Sequence, residues 1–322
     1  MRPMIAVLLL LLGSLPLAGQ NPWKFVTIDV PGATETWVRG VNNSGEVVGY
    51  YMLPTYTCPP YTTNDPQVPG CHVKGFKIVN GVLTKLNVPG AASTAIMGVN
   101  DYGDLVGFYT KLSAECPAGN AHGFLWLHTN VIKTLDFPGT GLCGSPVTVP
   151  MGINRAMIIA GMLWGQGGGF VWKNGVFQVM NVGGSGFAGI PESGVYGISN
   201  SGVLVGTTWA PTGLYPLWWG WLKKGPDEDF FQSTQDDTWA TAVNNATDIA
   251  GYGPYGNAFF AKHIELNEGD NDTVEVQPSF INLMAGDHTY PFAMNDQRAV
   301  VGAYRNDATF WRVHGFMAAP TF

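Results

Sequence analysis

The sequence predicts an all-β fold: a six-bladed β-propeller of four-stranded antiparallel blades, its ring closed by an N-terminal strand that completes the C-terminal blade. Three observations lead there. A ten-residue pattern recurs six times, a second hairpin follows it, and each end of the chain carries only part of one unit. Composition agrees: 12% charged residues is low for a soluble protein, and 43 Gly with 22 Pro in 322 residues suit many short strands joined by turns.

The pattern is G-x-N-x-x-G-x-V-V-G. It reads "GVNNSGEVVG" from Gly40, "GVNDYGDLVG" from Gly98, "GINRAMIIAG" from Gly152, "GISNSGVLVG" from Gly197, "AVNNATDIAG" from Ala242 and "AMNDQRAVVG" from Ala293. Its final glycines are Gly49, Gly107, Gly161, Gly206, Gly251 and Gly302, at intervals of 58, 54, 45, 45 and 51 residues. A strand-rich unit repeating at such a period means a propeller or a related array. Within each copy, turn residues such as Asn42 to Gly45 join two apolar runs, because Asn and Gly tolerate the left-handed backbone of tight hairpins.

A second hairpin comes next. "GFKIVNGVLTKLNVPG" from Gly75, "GFLWLHTNVIKTLDFPG" from Gly123 and "GFVWKNGVFQVMNVGG" from Gly169 supply strands three and four, with Asn80-Gly81 and Asn174-Gly175 as hairpin turns. The chain ends then distinguish a closed ring from an open stack. "KFVTIDVPG" at Lys24 matches a fourth strand without its first three, and "HGFMAAPTF" at His314 matches a third strand without its fourth. Pairing Lys24 to Val30 beside His314 to Ala319 completes one blade and removes two open sheet edges.

"MRPMIAVLLLLLGSLPLAGQ" has a basic Arg2, an apolar run from Met4 to Leu12, and small or turn-forming residues after it. It reads as a signal peptide over residues 1–19, cleaved near Ala18 to Gln20, which leaves 20–322 as a single propeller domain. The competing reading is an uncleaved interfacial anchor. Past this leader no run reaches the length of a membrane span. A secreted, extracellular or periplasmic monomer is expected. The net charge of -7, with no Lys/Arg cluster, argues against a nucleic-acid partner.

Four cysteines in an exported chain point to disulfides. Strand direction puts the second-to-third-strand loops and the connections between blades on one face. Cys58 and Cys71 share one such loop, Cys116 lies in the next, and Cys143 lies in the following connection. The expected pairs are Cys58 with Cys71 and Cys116 with Cys143.

The paired "G-[VI]-N-x-x-G-x-[VL]-V-G" and "HGF" or "NAF" segments (His122 to Phe124, Asn257 to Phe259, His314 to Phe316) resemble the HAF-repeat family of predicted extracellular proteins over nearly the whole chain after the leader. The resemblance implies an exported β-repeat protein and carries over no catalytic motif. Ser199 in place of Asn and Ala242 in place of Gly depart from the pattern.

Candidate site residues gather where inner strands begin. Those positions hold Glu35-Thr36, Ser93-Thr94, Val147-Thr148, Glu192-Ser193, Asp237-Thr238 and His288-Thr289. One reading makes Glu35, Arg39, Glu192, Asp237 and His288 ligand-binding residues for a glycan or cation. Another has the hydroxyls bonding backbone groups at strand starts and the acids in solvent. Asp270 and Asp272 in "NEGDNDTVEV" read as a solvated tip more readily than as calcium ligands. His122 and His314 read as structural. Trp209, Tyr215, Trp218, Trp219 and Trp221 either stack on sugars or pack between blades, with Trp221 at a blade-core position. No nucleophile elbow, phosphate-binding loop, dinucleotide fingerprint or zinc pattern occurs, and no cofactor is expected. The expected function is non-catalytic binding of a glycan or extracellular protein through the loop-rich face; the alternative is a secreted glycoside hydrolase or polysaccharide lyase using carboxylates at the channel mouth.

Overall fold

Asn42 shows how each unit starts. Its side-chain oxygen accepts the backbone N–H groups of Ser44 (3.1 Å) and Glu46 (2.9 Å), folding the chain back on itself. The turn needs a positive φ at Gly45 (76°), and the same position is left-handed at Gly103 and Gly202 but also at Met157, Thr247 and Arg298. The repeated Asn thus specifies the turn even where Gly is missing. Asn80 with Gly81 and Asn174 with Gly175 also have positive φ, as their hairpins require.

The computed structural model describes residues 23–54, 73–114, 116, 119–143, 147–165, 167–180, 194–210, 217–232, 237–262, 274–275, 279–280, 288–306 and 312–321. They form six sheets. Blade one holds Glu35–Val41, Val47–Met52, Val73–Val79 and Val82–Leu86, and blade two Ser93–Val99, Leu105–Lys111, Asn120–Trp126 and Ile132–Leu135. Blade three holds Val147–Ile153, Ile159–Trp164, Gly169–Lys173 and Val176–Met180. Blade four holds Gly194–Ile198, Leu204–Ala210, Leu217–Lys224 and Asp227–Gln232. Blade five holds Trp239–Val243, Ile249–Tyr252, Ala258–Ala261 and a short outer strand, Ser279–Phe280. Blade six holds His288–Met294, Val300–Arg305 and Val313–Pro320.

The fourth strand of blade six is Trp23–Ile28, antiparallel to Val313–Pro320 with Trp23 opposite Pro320 and Ile28 opposite Gly315. Ring closure is as the half-units at the chain ends require. One addition was not legible: Val274–Glu275 runs parallel to Asp227–Gln232, giving blade four a fifth strand. The inner strands also begin at Glu35, Ser93, Val147 and His288 themselves rather than after them.

The core lies between blades. Each final glycine of the repeated motif faces an aromatic residue on the third strand: Gly49 and Phe76, Gly107 and Phe124, Gly161 and Phe170, Gly206 and Trp221, Gly251 and Phe259, Gly302 and Phe316. All six aromatic side chains are completely buried. Each fills one of six layers between neighbouring blades and contributes about 2–3 kcal/mol by leaving water. The glycine is a matter of space. A Cβ on Gly251 would lie 2.0 Å from the Trp239 carbonyl oxygen and 2.7 Å from the Phe259 ring.

Two quartets tie outer strands together. His122 Nδ1 meets Asp136 Oδ2 at 2.8 Å while its ring stacks on Tyr109, whose hydroxyl lies 2.9 Å from Thr134 Oγ1. His314, Asp29, Tyr304 and Thr27 repeat the arrangement at 2.8 and 3.0 Å, and there it joins the two chain ends. Both histidines are structural. Cys116 and Cys143 form a disulfide with Cα atoms 5.6 Å apart, linking the blade-two loop to the entry of blade three. Closing a 27-residue separation stabilises by about 3.5 kcal/mol in the chain-entropy account. The segment expected to be a signal peptide, Cys58, Cys71, Asp270 and Asp272 lie outside the described residues. Among the described residues no helix is long and apolar enough to cross a membrane.

Candidate functional site

Every inner strand carries a β-bulge at the same place, between Val38 and Gly40 in blade one and between Pro291 and Ala293 in blade six. The bulged residue is Arg39, Met97, Met151, Tyr196, Thr241 or Phe292, and these six side chains line a cavity of ≈ 60 Å³ in the channel. Around them the inner strands crowd together: a Cβ on Gly40 would meet Gly98 Cα at 3.1 Å, and one on Gly98 would meet Gly152 Cα at 3.1 Å. The channel therefore has a waist.

Below the waist, where the inner hairpins turn, polar side chains bridge blade to blade. Asn42, Asn100, Asn154 and Asn295 each donate from Nδ2 to the backbone carbonyl of the equivalent residue in the next blade, at 2.9, 3.4, 3.2 and 3.1 Å. Ser199 has no amide to give. A second ring beneath joins Asn43 to Asp101 and Asp296, Asn200 to Asp101, and Asn245 to Asp296. Asn200 and Asp101 come from blades four and two, so this ring reaches across the channel and braces its lower end.

Above the waist the mouth opens on the loop-rich face. The hydroxyls at the strand starts turn out to hold the incoming connections: Thr36, Thr94 and Thr148 accept the backbone N–H of Val30, Val88 and Phe137 at 3.0, 3.0 and 2.8 Å. Glu35 lies at the rim, half-buried, and accepts the Trp37 indole N–H at 3.0 Å. Burial pushes its carboxyl above the ordinary 4.5, against the pull of that hydrogen bond and of the Arg305 charge. Burial likewise raises the Tyr290 phenol above 10.0.

Aromatic rings continue around the mouth. Trp218 stacks near Trp239 (centroids 6.4 Å), Trp239 on Tyr252 (5.4 Å, 17°), and Tyr252 meets Tyr290 edge-on (5.1 Å). This series crosses blades four, five and six, and all four rings are half-buried. Trp37 lies between Tyr50 and Phe292, at 6.1 Å from each.

The remaining sequence candidates fall into place individually. Asp237 accepts the Trp218 backbone N–H at 2.8 Å, which fixes the start of that aromatic series. His288 Nδ1 is bonded to the Tyr255 carbonyl. Arg39 lies one level below Glu35, in the waist. Glu192 and Tyr215 are outside the described residues. Trp221 is buried between blades, as its register position requires, while Trp209 sits on the second strand of blade four and Trp219 on the third. Among the described residues no three His, Cys, Asp or Glu side chains cluster as metal ligands would.

Trp37, Trp239, Tyr252, Tyr290 and Arg305 were missed as a group. Aligning the six copies would have found three of them, because Trp37, Trp239 and Tyr290 share one inner-strand position with Ala95, Val149 and Gly194.

No family description and no curated protein matches the chain. Similar solved structures include a gluconolactonase of Xanthomonas campestris (9% identity over 92% of this chain and 89% of that one, TM-score 0.47). Others are the β-propeller domain of the Trilobed protease of Pyrococcus furiosus (9%, 88% and 94%, TM-score 0.43) and polysaccharide lyase Uly1 (11%, 89% and 77%, TM-score 0.41). The likeness is one of fold.

Proposed function

We propose that this propeller is an exported, non-catalytic glycan-binding protein of the HAF-repeat type, and that the upper mouth of its channel is the binding surface. The observation that carries the reading is the half-buried aromatic series Trp218, Trp239, Tyr252 and Tyr290. Aromatic faces stack on the C–H faces of sugar rings, and the nearby Glu35 carboxyl and Arg305 guanidinium supply the polar contacts that orient hydroxyls. Export is supported by the Cys116–Cys143 disulfide, since such bonds persist in oxidising compartments.

Glu35 is the residue on which a hydrolytic or lytic reading would rest, because burial raises its carboxyl above the ordinary value, the direction that favours a proton donor. Its neighbours are the Trp37 indole and the Arg305 guanidinium, which suit recognition better than the paired carboxylates of a glycosidase. A glycan array with the secreted protein, repeated with Trp239→Ala, tests the reading. Binding by the parent protein and its loss in a folded variant is the expected result. Polysaccharide turnover abolished by Glu35→Gln would replace binding with catalysis, and no binding to any glycan would remove the proposal.

A further inference from the structure

Arg39 is 4% exposed, yet neither a hydrogen bond nor an ion pair holds its guanidinium among the described residues, and its Nε is buried without a partner. The Phe292 ring centroid lies 3.9 Å from its guanidinium carbon. The side chain projects from the blade-one bulge into the cavity at the channel waist. A buried cation normally has a counter-charge, because water is lost without compensation otherwise.

The nearby carboxylates are engaged elsewhere. Glu35 accepts the Trp37 indole N–H, Asp101 is bonded by Asn43 and Asn200, and Asp296 by Asn43 and Asn245. The other bulge positions contribute thioethers at Met97 and Met151, the Tyr196 and Phe292 rings, and the Thr241 hydroxyl, which donates to the Pro291 carbonyl at 2.8 Å. Among the described residues, the waist thus holds a cation and no anion.

We propose that the channel waist is a carboxylate-binding site, with Arg39 as its cation and Phe292 as the wall that orients it. With the Phe292 ring centroid 3.9 Å from the guanidinium carbon and Nε unpartnered, the N–H groups of Arg39 are left for an anion, and a carboxylate is the planar anion that arginine binds by paired hydrogen bonds. The cavity of ≈ 60 Å³ has room for such a group, which needs little more than the space of a few waters. Asp101 and Asp296 around the lower end repel anions, so entry is from the upper mouth. The carboxylate comes either from a small free acid or from an acidic sugar whose ring lies against the aromatic series above; only the second source rests on the glycan reading.

The test uses thermal melting of the secreted protein in sodium acetate, sodium glucuronate or an oligouronate, each against sodium fluoride at equal ionic strength. The variant is Arg39→Met. Met already occupies this bulge position in blades two and three, so the variant is expected to fold. The expected result is a rise in Tm of several degrees with carboxylate over fluoride in the parent protein, absent from Arg39→Met. A rise with acetate identifies a free carboxylate as sufficient; a rise with oligouronate alone identifies an acidic glycan. Trp239→Ala should keep the acetate response even where it loses glycan binding, which separates this site from the mouth. Equal melting in fluoride and in every carboxylate, or an equal response in Arg39→Met, overturns the proposal.

Discussion

The side-chain amide of Asn295 donates a 3.1 Å hydrogen bond to the backbone carbonyl of Asn42, joining the last blade to the first across 253 residues. It is the same contact that Asn42, Asn100 and Asn154 make to the blade that follows each of them. Asn295 also folds its own turn, accepting the N–H groups of Gln297 and Ala299 at 3.1 and 2.9 Å. One side chain therefore shapes a hairpin and closes the ring. Asn295→Ala should destabilise by about 2–3 kcal/mol, since it leaves buried backbone groups unpaired. Urea denaturation checks this, and an unchanged midpoint would mean that the ring is held by its outer strands alone.

The pairing of Gly251 with Phe259 leads to a sharper expectation. Gly251→Ala should cost more than about 4 kcal/mol or prevent soluble expression, as the added carbon meets a backbone carbonyl. Shrinking the ring in the double variant Gly251→Ala with Phe259→Leu should not rescue it, because the Trp239 carbonyl is the harder obstacle at 2.0 Å. Recovery of wild-type solubility in the double variant would show instead that ring overlap is the limiting contact.

Removing the bridge between blades two and three by changing Cys116 and Cys143 to Ser should lower stability by about 2–4 kcal/mol. The reduced parent protein should lose at least as much. Equal unfolding midpoints in oxidised and reduced protein would contradict a closed bond there.

Two carboxyls give opposite pH signatures. Burial pushes Asp104 up, but the His128 backbone N–H, the His128 ring and the Asn100 amide outweigh it and hold the group below 3.8. A lowered folded pKa means stability that is present above 3.8 and lost as pH falls through the folded value. Glu35 is raised, so its contribution is present below 4.5 and lost as pH rises through its folded value. Unfolding free energies measured from pH 3 to 7 should show Asp104→Asn losing less than the parent protein on acidification. Glu35→Gln should gain on the parent above pH 4.5. Parallel curves for all three proteins would exclude both assignments.

Blade number, ring closure and the Cys116 to Cys143 link were legible in the sequence because they rest on local patterns: alternation of two, turn residues at fixed offsets, and strand direction carried forward unit by unit. Even the role of Trp221 followed from its register. The candidate sites were legible only as positions. Glu35, Asp237 and His288 could be placed at strand starts, but not the indole, backbone N–H and carbonyl that each one meets.

What only the tertiary structure decided are relations between blades. A period-two reading places Trp37 and Arg39 on one strand face, with no signal for the bulge that puts Arg39 in the waist. Trp218, Trp239, Tyr252 and Tyr290 become one series because neighbouring inner strands pack within van der Waals distance, bringing residues from three blades onto one rim. The repeated Asn could be recognised from sequence as a turn residue, whereas its second hydrogen bond depends on how close the next blade stands. Local chemistry determines each blade, and the close approach of the blades determines what their side chains meet.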